Sequence, residues 1–101
     1  MTRQTQAELL RHAMDAAGMS AYALNKAMGY RSKDTVGKML RGELAITEPD
    51  TIAGLCAVLP LTADDIYAAG QRIPPDIKQA IIAEPEFFYR LIRETRRAGQ
   101  Q

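Results

Sequence analysis

Lys33, Asp34, Thr35, Gly37 and Lys38 stand within one short stretch of this 101-residue chain. Together they offer two ammonium groups, a carboxylate, a hydroxyl and one position with no side chain. Such a set suits recognition by hydrogen bonding and charge rather than bond making. The ammonium of Lys33 or Lys38 can donate to guanine O6 and N7, and the Asp34 carboxylate can accept from cytosine N4. Arg31 in the preceding residues and Ser20 further upstream are of types that hold phosphate oxygens. Asp34 has a second use, capping a helix or favouring its N-terminus. Gly37 permits close approach to a duplex or close packing between helices, and weakens a helix by about 1 kcal/mol relative to Ala. Arg41 suits either a phosphate contact or an ion pair with an acidic neighbour.

These side chains need a scaffold, and the segment Ser20–Gly42, SAYALNKAMGYRSKDTVGKMLRG, supplies its signals. Ser20 can cap a short helix that Gly29 ends in the left-handed conformation, and Ser32 can cap a second that Gly42 ends. Two short helices joined by a tight turn form the unit that lays a helix into the DNA major groove. The first of the pair is expected over residues 21–28, burying Leu24 and Met28. The second is expected over 33–41, burying Val36, Met39 and Leu40. Tyr22 and Tyr30 are expected to pack rather than to stack on bases.

Around this pair the chain reads as further helices, with almost no period-2 alternation. One starts at a Thr5–Glu8 capping box and stops at Gly18, with Leu9, Leu10, Ala13, Met14 and Ala17 inward. The next has Pro49 in its first turn and buries Ile52, Leu55, Cys56 and Leu59, and Pro60 stops it. Thr62 caps another, with Asp65 at its third position and Ile66 and Tyr67 inward, closed by Gly70. After QRIPP, a helix over 75–83 uses Ile77, Ile81 and Ile82. A last one runs from Pro85 to about Ala98, and the final AGQQ is expected to fray. Its stripe is Phe88, Leu91, Ile92 and Thr95, flanked by Phe87.

Composition narrows the function classes. Hydrophobic residues at 47% and charged residues at 25% are ordinary for a globular domain. The net charge of +1 hides a segregation: residues 1–47 carry seven Lys/Arg against four Asp/Glu, 48–86 two against seven, and 87–101 four against one. Positive charge therefore gathers on the paired helices and on the tail, as in a nucleic-acid binder. No apolar run nears the roughly 20 residues of a membrane span, and the first residues lack a signal-peptide core, so a cytoplasmic protein is expected. The single Cys56 excludes an internal disulfide and reads as a buried inert thiol. His12 has no second His or Cys nearby to share a metal. There is no Gly-rich phosphate loop, nucleophile elbow or usefully spaced carboxylate pair, so neither catalysis nor a cofactor is expected.

Residues 6–70 resemble the lambda-repressor-like helix-turn-helix family, also called the Cro or XRE type. The marks are Leu10, Gly18-Met19-Ser20, Leu24, Gly29, Thr35-Val36, Arg41-Gly42, Asp50-Thr51-Ile52 and Thr62-Ala63-Asp64-Asp65-Ile66, in the family's order. The resemblance implies an all-α fold: a five-helix DNA-binding domain over residues 1–70, followed by a helical extension over 71–101. It also implies a small transcriptional regulator of phage or mobile-element type that binds double-stranded operator DNA. It would do so as a homodimer and act as a repressor, with Lys33, Asp34, Thr35, Gly37 and Lys38 on the DNA-facing helix. Here the turn is one residue longer than usual, Ala21 stands where many members place a phosphate-touching Gln, and Asn25 replaces a small apolar residue. A buried amide at Asn25 needs partners. Phe87, Phe88, Leu91 and Ile92 are candidates for dimerisation, or fold back on the first and fifth helices. The competing reading is a protein-interaction module, or an antitoxin-like protein, that holds a toxin or a host factor.

Overall fold

The computed structural model describes residues 4–99, all of whose regular structure is helical. The elements are α1 Gln6–Ala17, α2 Ala21–Ala27, α3 Thr35–Leu40, α4 Pro49–Val58, α5 Ala63–Ala69, α6 Pro75–Ala83 and α7 Pro85–Gly99. The expectation for the closing Gln100 and Gln101 lies outside the described residues. Ala98 and Gly99, expected to fray, continue α7.

Caps and stops set most of these bounds. Thr5 Oγ1 accepts from the Glu8 N–H at 3.1 Å and donates to the Glu8 carboxylate. The full reciprocal capping box forms at Thr62 and Asp65 of α5. Helices α2 and α3 each close in the same way. The residue after the cap is Gly29 or Gly42, at φ 71° and 74°, and the two N–H groups there return to carbonyls of the last turn. Helix α5 closes at Gly70 as expected, with an ordinary φ of −85°. The left-handed residue is Gln71, at φ 59°, with its N–H on Ala68 O and that of Arg72 on Tyr67 O. Gly70 is needed one position earlier for a different reason, since a Cβ there would overlap the Gln6 side-chain amide.

The core lies wholly between Leu10 and Ile66. Leu10, Ala13 and Met14 of α1, Leu24 of α2, Val36 and Met39 of α3, Ile52 and Leu55 of α4, Leu59 after it, and Ile66 of α5 form one buried cluster with Ile46. Helix α1 packs chiefly on α3 and α5, α2 on α3, and α4 on α5. Ala17, expected inward, is exposed, and Met28, Leu40, Cys56 and Tyr67 are half-buried rather than buried. Gly54 gives Met28 its place, since a Cβ there would meet the Met28 terminal methyl at 2.8 Å.

Two side-chain amides, half-buried Gln6 and buried Asn25, hold the connections. Gln6 donates to Ile46 O at 3.0 Å and to Ile66 O at 3.1 Å, and accepts from Ile46 N–H at 2.9 Å. One side chain thereby ties the α3–α4 connection to α1 and α5, pairing both peptide groups of Ile46 and the Ile66 carbonyl. Asn25 does the same for the α2–α3 turn.

The last two helices behave differently. No residue of α6 or α7 is buried, and the main packing partner of each is the other. Ile77 and Ile82, expected inward, are exposed, and Ile81 is half-buried. Phe87, Phe88 and Leu91 stay exposed, and α7 packs chiefly on α6 rather than on α1 and α5. The radius of gyration of 16.3 Å accordingly exceeds the roughly 13 Å of a close-packed chain of this length.

Candidate nucleic-acid interface

The α2–α3 turn is built around Asn25, buried on the inner face of α2. Its Nδ2 donates to Ser32 O at 2.8 Å, and its Oδ1 accepts from Val36 N–H at 3.3 Å. Val36 lies in the first turn of α3, where backbone N–H groups have no partner within the helix. Asn25 therefore caps α3 from the neighbouring helix. Both faces of its amide are used, which removes the cost of about 1–3 kcal/mol that an unpaired buried amide would carry.

This arrangement corrects the expected start of α3. Ser32 was expected to cap a helix beginning at Lys33. Its hydroxyl instead accepts from Asp34 N–H at 3.3 Å, and Thr35 Oγ1 turns back toward Ser32 O. The residue added by Tyr30 and Arg31 lengthens the turn, so Lys33 and Asp34 lie before α3 and the helix begins at Thr35.

Arg31, Lys33, Asp34 and Lys38 are exposed, and Thr35 and Gly37 are half-buried. Val36 and Met39 point into the core, so the polar positions face out on the opposite side of α3. Ser20, at the far end of α2, caps that helix by accepting from Ala23 N–H at 3.1 Å. Tyr30 packs against the core, as expected. Tyr22 does not: it is 74% exposed in the first turn of α2. Its outward direction follows from geometry, since it lies about 200° around the helix from the buried Leu24.

Asp34 makes no capping bond. Its carboxylate is taken by Arg41, with NH2 to Oδ2 at 2.7 Å and NH1 to Oδ1 at 3.3 Å. The same guanidinium reaches Glu43 through Nε and NH2, each at 3.2 Å. Arg41 thus resolves as an ion-pair residue in the free protein. The hydrogen bond from Arg41 holds the Asp34 carboxyl below its ordinary range, and Asp34 and then Glu43 hold the guanidinium firmly charged. Gly37 sits beneath the pair, where a Cβ would overlap Asp34 Oδ1 and lie 3.0 Å from Arg41 NH1. A side chain at Gly37 would therefore have to push aside the ion pair that flanks α3 at both ends.

Elsewhere, burial and then the Asp65 charge push the Cys56 thiol up, disfavouring the thiolate. His12 is exposed, with Nδ1 at 2.6 Å from Gln4 Nε2. No group of three or more His, Cys, Asp or Glu among the described residues gathers as a metal site. No helix among them is long and apolar enough to cross a membrane. On the tail, Phe87, Phe88 and Leu91 are exposed and Ile92 is half-buried. No family model, no curated protein and no solved structure matches this chain.

Proposed function

We propose that this chain is a sequence-specific DNA-binding transcriptional regulator of the lambda-repressor-like type, which represses by occupying operator DNA. Residues 1–70 act as its helix-turn-helix domain, with α3 entering the major groove. The observation that carries this reading is the α2–α3 pair, stitched by Asn25, whose outer side presents Arg31, Lys33 and Lys38 exposed on one connected segment. Lys33 and Lys38 would meet base edges or phosphates, Arg31 the phosphate backbone, and Ser20 and Tyr22 the flank reached by the start of α2. The exposed stripe of Phe87, Phe88 and Leu91 supports a homodimer joined through the tail. Such a dimer would set two α3 helices about 34 Å apart on a pseudo-palindromic site.

Selection of binding sites from a random duplex pool tests the reading, followed by gel shifts over a range of salt. The expected result is an enriched motif with two-fold symmetry, bound with an affinity that falls at a log–log slope near −0.9 per neutralised phosphate. Lys33→Ala and Lys38→Ala should each weaken operator binding without unfolding the domain. Retention that is weak and indifferent to both sequence and salt would defeat it. Because every buried side chain among the described residues lies between Leu10 and Ile66, a chain ending at Gly70 should fold, and sedimentation should find it monomeric. A truncated chain that keeps the full-length mass state removes the tail from the dimer.

A second reading has its own support. Ile73, Ile81, Ile82, Pro85 and Phe88 line an apolar groove of about 610 Å³ beside Arg72 and Lys78. The groove supports a protein-interaction module or antitoxin-like protein on the same scaffold, with weak DNA affinity, and for that reading the gel shifts would give weak retention indifferent to sequence.

A further inference from the structure

Arg41 is the cation at the carboxyl end of α3, on the outer side of the α2–α3 pair. Each of its two acidic neighbours holds it by a double contact, Asp34 through NH1 and NH2 and Glu43 through Nε and NH2, at 2.7–3.3 Å. A fork of this kind is how a guanidinium also grips a phosphate, so the two carboxylates occupy the bonding positions a duplex backbone would use. The absent side chain at Gly37 lets Asp34 reach across α3 to make the contact. All three side chains are about half exposed, so the pairing is open to competition from solvent anions rather than sealed in the core.

We infer that Asp34 and Glu43 mask Arg41, acting as an intramolecular substitute for phosphate that holds down the affinity of the α3 face for duplex DNA. The inference rests on the DNA-binding reading above. In the masked state the trio carries a net charge of −1 at the surface where Lys33 and Lys38 would approach DNA. A phosphate must therefore displace a carboxylate to recruit Arg41. The mask lowers binding to any duplex, and a site that holds α3 through Lys33 and Lys38 is favoured because it brings a phosphate to Arg41 at high local concentration. The direction of both shifts agrees, since the Asp34 carboxyl is held below its usual range by Arg41 and the guanidinium is held charged by both acids.

The test uses the full chain and a random-sequence duplex, with affinity measured across salt concentrations for four proteins. These are wild type, Asp34→Asn/Glu43→Gln, Arg41→Ala, and the triple variant combining all three changes. Unmasking frees Arg41 for one further phosphate, so the double variant should bind more tightly, with a slope steeper than wild type by about 0.9. The added slope should vanish in the triple variant, whose slope should match that of Arg41→Ala, although the loss of two carboxylates leaves its affinity somewhat higher. Two results overturn the mask while leaving DNA binding intact: a double variant with the wild-type slope, or a slope increase of the same size that persists without Arg41, which would reduce the effect to simple charge repulsion. A wild-type chain whose retention ignores salt removes the DNA reading and the mask together.

Discussion

Leu24 and Leu55 lose all contact with solvent among the first five helices, whereas Phe87, Phe88 and Leu91 on α7 keep 47, 44 and 43% of their surface exposed. The two regions do not differ in the quality of their helices. Helix α7 has a clear apolar stripe at i, i+3 and i+4, opposite a row of arginines. They differ in what crosses between elements. In the first region Gln6 spans forty and sixty residues of sequence with its hydrogen bonds, and Asn25 joins one helix to the next. In the tail the side-chain bonds, Arg93 to Tyr89 O and Thr95 to Leu91 O, stay within a single turn of α7. Periodicity makes a helix, but a core requires a second surface to receive it.

The largest test of this contrast is truncation of apolar side chains. Leu24→Ala or Leu55→Ala should cost about 2–5 kcal/mol, since each leaves a cavity in a closed cluster. Phe88→Ala should change the stability of the monomer by less than about 0.5 kcal/mol. Urea unfolding at several protein concentrations measures both. A Phe88→Ala loss comparable to that of Leu24→Ala, growing with concentration, would show that the stripe is covered in a dimer.

Next in size is the amide that joins α2 to α3. Asn25→Ala strands Ser32 O and Val36 N–H and should cost about 1–3 kcal/mol by urea unfolding. A cost near zero would mean that water replaces the amide and that the turn is not tied from α2. Smaller still is the joint between the two regions. Gln71 stands where most helix ends place glycine, in a conformation that costs a side chain about 1–2 kcal/mol. Gln71→Gly returns part of that to backbone entropy, so thermal unfolding should show a net gain under about 1 kcal/mol. A loss would show that the Gln71 side chain contributes contacts outweighing the strain.

Element order was readable from the chain because its signals are local. Pro49, Pro75 and Pro85 open their helices as expected, Thr5, Ser20 and Thr62 cap theirs, and Gly18, Gly29 and Gly42 stop theirs. What misled were positions where a distant residue decides. Gly70 does close α5, but its small size also serves Gln6, a partner on another helix that no local signal reveals. Ser32 looks like a cap, yet Asn25 takes that role from across the turn. Asp34 looks like a cap or a base reader, yet Arg41, seven positions on, claims it. The exposed tail stripe has the sequence pattern of a buried one, and no period distinguishes them. The outward direction of Tyr22 was available, since its angle from Leu24 follows from helix geometry alone.

The smallest effect concerns Asp34 itself. Its hydrogen bond to Arg41 keeps the carboxyl below the ordinary aspartate value of 3.8. A group whose folded value is depressed contributes stability that is present above its unfolded value and lost as pH falls through the folded one. Stability at neutral pH therefore includes the pair, and acidification below the usual carboxylate range removes it. Asp34→Asn should shrink the difference between neutral and acid stability, modestly, because both partners are about half exposed and solvent screens them. The sharper readout is the side-chain carboxyl carbon resonance of Asp34 followed through a pH titration. Its midpoint should lie below 3.8 in the wild type and rise toward that value in Arg41→Ala. A midpoint indifferent to Arg41 would mean that the pair does not persist in solution, and the α3 face would then present a free guanidinium beside a free carboxylate.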